Sequence, residues 1–422
     1  MGLFLPRGRP GRLHGRTAEL TTSSPAGIAP RKATLRDVDV AHKRVLLRVD
    51  FNVPLEGTRI LDDTRIREAI PTIRDLRERH ARIILVTHLG RPDGAVDEAF
   101  RTTPVAARLS ELMGIPVMHL DDCIGPKVEA AVAPMRDGDV IMLENVRFHP
   151  GETNNDPEFA RQLATLAEVF VNDAFGAAHR AHASTVGVTA YLPSVAGLLM
   201  EREIATLGRI MADPPRPLVS VIGGSKISTK IGVLKSLMER VDRLCIGGAM
   251  ACTFLKAKGM GVGRSMVEDD QLDTARSLLA ASERGGRSLV LPLDAVVAAD
   301  ARPGVSTQTV RVDAVPPDLK VLDVGPMTVE RFLQVCDGAG AVVWNGPLGV
   351  YEVPPFNQGT RALAEGLAGS HAETIIGGGD LVAAVQELHL ADRMSFISTG
   401  GGATLEFLEG KSLPGIAALR DA

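Results

Sequence analysis

KRVLLRVDFNVP, residues 43–54, holds an apolar run over residues 45–49 that passes directly into Asp50, Phe51 and Asn52 before Pro54. A short apolar run bounded by turn residues reads as a buried strand that hands polar side chains to a loop. The pattern then repeats. Apolar runs at residues 83–86, 140–143 and 169–171 are separated by stretches of helical periodicity. Strand, loop and helix in alternation mean βαβ units and a parallel sheet.

Beyond Pro193 a helix is expected over residues 197–212, stopped by Asp213, Pro214 and Pro215. A second α/β series follows, with apolar runs at residues 218–222, 244–246, 289–291, 341–343, 374–376 and 394–397. The fold expected is α/β: two doubly wound, Rossmann-like parallel-sheet domains joined by a connecting helix and a hinge. The expected division is an extension over 1–33, a first domain over 34–196, the helix 197–212, a second domain over 213–402, and a segment 403–422 returning toward the first domain. At 422 residues the chain exceeds what one core usually supports, which agrees with about two domains.

Composition limits the function classes. With 45% hydrophobic and 23% charged residues the chain reads as an ordinary globular protein. A net charge of -4 argues against nucleic-acid or anionic-membrane partners, so any basic patch must be local. Cys123, Cys245, Cys252 and Cys336 show no metal-like spacing and read as reduced, buried thiols. No apolar run approaches the roughly 18 to 20 residues of a membrane span, and a cytoplasmic monomer is expected. The first 30 residues, rich in Arg, Ser, Thr, Pro and Gly with Glu19 as their one acid, leave two readings: a disordered tail or over-extended start, and a targeting segment.

In open parallel sheets ligands bind at the carboxyl ends of the strands. In the first half those ends carry Asp50-Phe51-Asn52, His88-Leu89-Gly90-Arg91, Glu144-Asn145-Val146-Arg147 and the segment 174–180 with His179 and Arg180. Arg65 joins them if Asp62, Asp63 or Thr64 caps the next helix. Guanidiniums that converge without an equal number of acids repel one another, and a phosphate or carboxylate relieves that repulsion. Arg59, Arg67, Arg74, Arg77, Arg79 and Arg82 read instead as surface charges, and His119 and His149 as satisfied structural histidines. Asp50 and Asn52 alternate with Phe51 and share one side of the strand. They either face a hydroxyl or carboxylate of a ligand or bond their own backbone ahead of Pro54.

The second half ends its strands in glycine. GGSKISTK, residues 223–230, follows a strand; a helix from about Ser225 would stack Lys226 and Lys230 on one face, where a polyphosphate would relieve their repulsion. Neither this segment nor Gly410-Lys411-Ser412 has Walker A spacing. Gly247-Gly248-Ala249, Gly377-Gly378-Gly379-Asp380 and Gly400-Gly401-Gly402 each let backbone approach an anion at a helix N-terminus. Asp380 either holds Mg²⁺ among the phosphates or caps its helix. In WNGPLGVYE, residues 344–352, Asn345 belongs at the ligand edge, and Glu352 can accept from ribose hydroxyls.

The ordered series RVDFNVP, DDTRIR, THLGRP, ENVRFHPGE, NDAFGAAHRAHAS, GGSKISTK, GGAMACTFL, LDVGP, WNGPLGVYE, IIGGGD and STGGGATLEFLEGKSLPG resembles phosphoglycerate kinase. The resemblance runs from about Thr34 to the end. It implies reversible phosphoryl transfer between ATP and 3-phosphoglycerate, with Mg²⁺ as cofactor and two domains closing over the substrates. By position, Asp50, Phe51, Asn52, Arg65, His88, Leu89, Gly90, Arg91, Arg147, His179 and Arg180 would bind phosphoglycerate. Lys226, Lys230, Gly247, Gly248, Asn345, Glu352, Gly378, Gly379, Asp380 and Leu381 would bind the nucleotide, with Asp380 on the metal. Two positions depart from the family pattern: Ala249 replaces a glycine, and Leu381 replaces a Thr or Ser, so weaker nucleotide affinity is expected.

The attacking carboxylate is ionised at neutral pH, so catalysis reduces to in-line positioning and charge neutralisation by Arg65, Lys226, Lys230 and Mg²⁺. The helix from Gly197 and the Thr399-Gly400 turn are the candidate hinges. A non-catalytic relative would have lost one of the charged groups, and none is lost. A dehydrogenase would open a first-strand helix with GxGxxG, and none is present.

Overall fold

The computed structural model describes residue 1, residues 31–284 and residues 288–422. The readings placed on residues 2–30 therefore lie outside the described residues. Residues 31–33, assigned to the extension, belong to the folded body: Ala33 is fully buried and its N–H donates to the Arg420 carbonyl at 2.8 Å. Lys32 reaches Asp421 Oδ1 at 2.7 Å, so the first residues of the folded body and the chain end are laced together on the first lobe.

The first lobe is built on a six-stranded sheet whose spatial order is Met118–His119, Val140–Met142, Arg82–Val86, Arg44–Arg48, Val169–Asn172 and Ser194–Ala196. Every neighbouring pair is parallel. Both faces of its central strands are buried because side chains alternate between two apolar clusters. Val45 and Leu47 pack with Ile83 and Leu85 on one side, and Leu46 packs with Ile84 and Phe170 on the other.

The second lobe carries another six-stranded parallel sheet, ordered Ser288–Val290, Arg243–Ile246, Leu218–Ile222, Ala341–Asn345, Glu373–Gly377 and Phe396–Ile397. Numbered within the sheet this is 3-2-1-4-5-6, the doubly wound dinucleotide order, with its switch point between Leu218–Ile222 and Ala341–Asn345. At that point the Gly223 N–H donates to Asn345 O at 2.9 Å and the Gly224 N–H to Pro347 O at 3.1 Å. A Cβ on Gly223 would lie 2.1 Å from Pro347 O, so only glycine lets the two loops meet.

One element escaped the sequence reading. Gln308–Arg311, Asp294–Ala298 and Lys320–Val324 form a three-stranded antiparallel sheet inserted ahead of the switch point. Its middle strand Asp294–Ala298 is nearly all buried, but its partners Gln308–Arg311 and Lys320–Val324 are mostly exposed and intermediate, so no shared apolar period marks the three as one sheet.

The helix Leu198–Ala212 joins the lobes, starting one residue after the expected Gly197. Its buried Met200, Leu207 and Ile210 belong to a single apolar cluster that also contains Leu46 and Phe170 of the first sheet and Leu218, Leu244 and Val343 of the second. Glu203, on the same helix, is fully buried and accepts from Ser398 Oγ at 2.8 Å and from Thr399 N at 2.8 Å. Burial pushes its carboxyl up to about 7 against the pull of those donors. Between its ordinary value and about 7 the folded protein keeps a proton that the unfolded chain loses, so this contribution to stability is lost as pH rises through about 7. Glu203→Gln, uncharged throughout, is expected to melt with a shallower decline than wild type between pH 5.5 and 8. Parallel melting curves across that range would refute it.

Candidate active site

Strand ends of the first sheet and one turn of the second enclose a cavity of about 240 Å3. Asp50, Asn52, Arg65, His88, Gly90, Arg91, Arg147, His179 and Arg180 line it, and Gly400, Gly401 and Gly402 close it from the second lobe. The sequence-expected cradle is therefore assembled, with two exceptions. Phe51 and Leu89 turn their side chains into the core, where Phe51 is fully buried and Leu89 nearly so. Strand position says where a residue sits, but the alternation of faces carries its side chain away from the ligand edge.

Arg65 lies in the first turn of the helix Thr64–Glu78, and its guanidinium donates to Asp50 Oδ2 at 3.0 Å and to the Asn52 carbonyl at 3.2 Å. The Asn52 side-chain oxygen accepts from the Gly90 N–H at 2.9 Å, so Asn52 ties two strand-end loops together. Its own N–H reaches Asp50 Oδ1 at 3.4 Å, a weak form of the local turn that was the competing reading. Gly176 leaves room beside them: a Cβ there would sit 2.3 Å from Asp50 Oδ2 and would push that carboxylate from its place against Arg65.

Arg147 donates to the Gly90 carbonyl at 2.7 Å while its Nε, though buried, has no partner among the described residues. Burial, then the charges of Arg48 and Arg180, bring its guanidinium down to about 10. An orphaned donor on a cation crowded by cations is what an anionic ligand would satisfy. Arg180 Nε donates to His179 Nε2 at 3.0 Å, so that ring nitrogen carries no proton.

Behind the cradle lies a network the sequence reading missed. Arg48 is 1% exposed and donates to Ser184 Oγ at 2.8 Å and to His88 Nδ1 at 3.0 Å. An arginine can only donate, so His88 carries its proton on Nε2. Burial and the adjoining Arg48 hold that imidazole well below its usual value, and it stays neutral. The Ser184 hydroxyl donates in turn to the fully buried Glu152 at 2.7 Å. A charged residue inside an apolar strand was the available signal, because such residues are almost never buried unless paired.

His119 and His149 are satisfied elsewhere, on Thr102 Oγ1 at 3.0 Å and Asp122 Oδ1 at 2.8 Å. All four cysteines are free and buried. No helix among the described residues is long and apolar enough to cross a membrane.

At the switch point of the second sheet a cleft of about 670 Å3 opens. Gly248, Glu352 and Asp380 line it from the expected nucleotide set, joined by Gly224, Ser225 and Ala249. Leu322, Asp323 and Val324, from the antiparallel sheet, supply wall residues that the sequence reading did not anticipate. Gly248 has φ +68°, and a Cβ there would lie 2.5 Å from Gly224 N. Ala249 is in the right-handed region, so the methyl that replaces the family glycine causes no backbone strain.

The lysine loop departs from expectation. The helix begins at Ile231, not near Ser225, and Lys230 is its N-cap, so the two lysines do not stack on one helical face. Lys226 is exposed, whereas Lys230 is buried with its Nζ on Gly223 O at 2.6 Å and Asn345 Oδ1 at 2.9 Å. Burial lowers that ammonium to about 8 while the Asp380 charge resists the shift. The Asn345 amide nitrogen is buried and has no partner among the described residues, and it lies 3.1 Å from where a Cβ of Gly378 would be. Asp380, exposed on the first turn of Gly379–Glu387, makes no capping bond, so the helix-cap reading does not hold. Leu381 next to it is fully buried in the core and does not reach the cleft with its side chain. Gly247 and Gly379 stand at the turns that enter the neighbouring helices rather than on the cleft wall.

The chain is similar to known proteins along most of its length. The family model for phosphoglycerate kinase matches residues 35–411. A phosphoglycerate kinase of Pelotomaculum thermopropionicum is 56% identical over 390 residues, covering 92% of this chain and 99% of the relative. One from Thermosynechococcus vestitus is 56% identical over 395 residues, covering 92% and 98%. Among solved structures, phosphoglycerate kinase from Coxiella burnetii superposes with a TM-score of 0.81 at 42% identity, covering 92% of this chain and 98% of that one. The Pyrococcus horikoshii enzyme gives 0.81 at 31% identity with the same coverage. With a basic cradle on one sheet, a glycine-walled cleft on the other and relatives matched along nearly their whole length, the chain belongs to the phosphoglycerate kinase family.

Proposed function

We propose that this chain carries out reversible transfer of the ATP γ-phosphoryl group to the carboxylate of 3-phosphoglycerate, giving ADP and 1,3-bisphosphoglycerate, as a cytoplasmic monomer. The observation that carries the reading is the cavity shared by both lobes, basic on one wall and glycine-lined on the other. Arg91, Arg147, Arg180, His88 and His179 hold the phosphoglycerate, and Asp50 and Asn52 orient it. No base is needed, because the acceptor carboxylate is already an anion. The residues have two tasks: to align donor and acceptor, and to neutralise the moving phosphoryl group with Arg65, Lys226 and Lys230. The lobes divide at the helix Leu198–Ala212, and closure about it and the Thr399-Gly400 turn brings the half-sites together.

Nucleotide binds in the cleft of the second lobe, with Gly247, Gly248, Gly378, Gly379 and the Leu381 N–H toward phosphate, Asn345 beside them, and Glu352 toward the ribose. Asp380, an exposed carboxylate with no bond of its own at the mouth of that cleft, has the hard oxygen donors that suit Mg²⁺. Bound there, Mg²⁺ would neutralise and orient the phosphate oxygens. Lys230 releases its carbonyl partners to meet the phosphoryl group.

The test is an assay of the purified chain with ATP, Mg²⁺ and 3-phosphoglycerate, coupled to NADH oxidation. Turnover is expected; EDTA should abolish it and added Mg²⁺ restore it. Asp380→Asn should raise the Mg²⁺ concentration needed for half-maximal rate by at least about tenfold. No turnover in wild type sinks the enzymatic reading, and an unchanged Mg²⁺ requirement in the variant removes Asp380 from the metal.

A further inference from the structure

The segment Ser225 to Lys230 stands outside any helix, yet it must present Lys226 to a phosphoryl group. Its geometry is set by a residue some 40 positions later. Glu268 Oε2 accepts from Ile227 N at 2.5 Å and from Ser228 N at 3.2 Å, and Oε1 accepts from the Ser228 hydroxyl. Neither amide has a backbone acceptor among the described residues. The Lys226 ammonium has no hydrogen bond or ion pair among them either, so the lysine is placed by its backbone alone.

Glu268 is itself held. Its N–H donates to Oγ1 of the buried Thr253 at 3.2 Å, and neighbouring Asp269 pairs with Lys256 at 2.7 Å. Thr253 and Lys256 lie on Met250–Ala257, the helix that the Gly247-Gly248 turn opens. Just ahead of Val267-Glu268, Arg264 and Met266 line the cleft of the second lobe. One strap therefore touches the nucleotide cleft, the helix behind its glycine turn and the lysine loop.

We propose that Glu268 is a positioning residue for phosphoryl transfer: by gripping the backbone at Ile227 and Ser228 it fixes where Lys226 is presented, and it links that placement to the nucleotide cleft. This rests on Lys226 acting on the moving phosphoryl group, as proposed above. A flexible lysine on an unbraced loop would meet the phosphoryl group in many geometries, few of them reactive. The carboxylate removes that freedom without touching either substrate.

The experiment is a double-mutant cycle read in kcat and in each KM. Glu268→Ala should lower kcat about 10- to 100-fold and leave the KM for 3-phosphoglycerate within about twofold. In a Lys226→Ala background it should cost little more, because there is no lysine left to place. Glu268→Gln can still accept from both amides and donate to Ser228, so it should recover most of the rate. Undiminished kcat in Glu268→Ala, losses that multiply in the double variant, or equal losses in Glu268→Gln and Glu268→Ala would each overturn the proposal. If Lys226→Ala alone has full activity, the assignment of Lys226 fails first, and that outcome is separate. Should Glu268→Ala not fold, Ser228→Ala takes its place in the cycle: a kcat loss that disappears in the Lys226→Ala background supports the proposal, and any other result overturns it.

Discussion

Lys230→Met is expected to lower kcat by about 10²- to 10³-fold, the usual cost of removing one preorganised donor from a charge-developing centre. The side chain is buried among the Gly223 carbonyl and the Asn345 oxygen, next to the switch point where the proposed function brings the nucleotide phosphates. Methionine keeps the length and loses the charge, so binding of 3-phosphoglycerate on the other lobe should be unaffected. Unpairing the two oxygens costs about 1–3 kcal/mol, offset in part by relief of a buried cation. The ammonium is held near pH 8 by burial, so in wild type kcat/KM for the nucleotide should fall as pH rises past about 8. Steady-state rates across pH 6 to 9.5 would settle both points. A Lys230→Met enzyme within tenfold of wild type would remove this lysine from the chemistry.

The second large effect is on stability. Arg48→Met should destabilise the protein by about 3–5 kcal/mol, because the fully buried Glu152, which faces His182 at 3.6 Å, would lose the guanidinium charge that acts on it through Ser184. Ser184 stands between the two groups, accepting from Arg48 and donating to Glu152, so the loss passes through the whole chain of contacts. His88 would also lose the donor that fixes its tautomer, and the fraction that stays folded should bind 3-phosphoglycerate more weakly. Denaturant titration reads the first effect as a lower midpoint at unchanged slope. A midpoint equal to wild type would show that Glu152 does not depend on Arg48.

Which parts of this site were legible follows from what strand ends can and cannot say. The run before Asp50 and those before His88, Arg147 and His179 lie in one sheet, and their following residues converge as the switch-point rule requires. The same rule placed Phe51 and Leu89 at the edge, but it is blind to which face they take, and both went to the core. Leu381 went the same way. The lysine loop was misread because its shape depends on Glu268, a partner far along the chain whose contact leaves no local periodicity. Arg48 hid inside an apolar run, where its partners Ser184 and Glu152 come from segments more than a hundred residues away. The antiparallel sheet escaped because its strands share no one pattern: Asp294–Ala298 is nearly all buried, Gln308–Arg311 mostly exposed and Lys320–Val324 intermediate, although it supplies part of the cleft wall.

The apolar cluster that threads from the first sheet through Met200, Leu207 and Ile210 into the second has a kinetic meaning. Two bodies on a loose tether would collide at a rate set by the tether's reach. Under the proposed closure, each approach of acceptor to donor would also have to rearrange the close-packed side chains of this seam, and that repacking would contribute to its barrier. Substitutions deep in that seam, far from either ligand, would then tune the frequency of the stroke and leave the affinity of each half-site as it was.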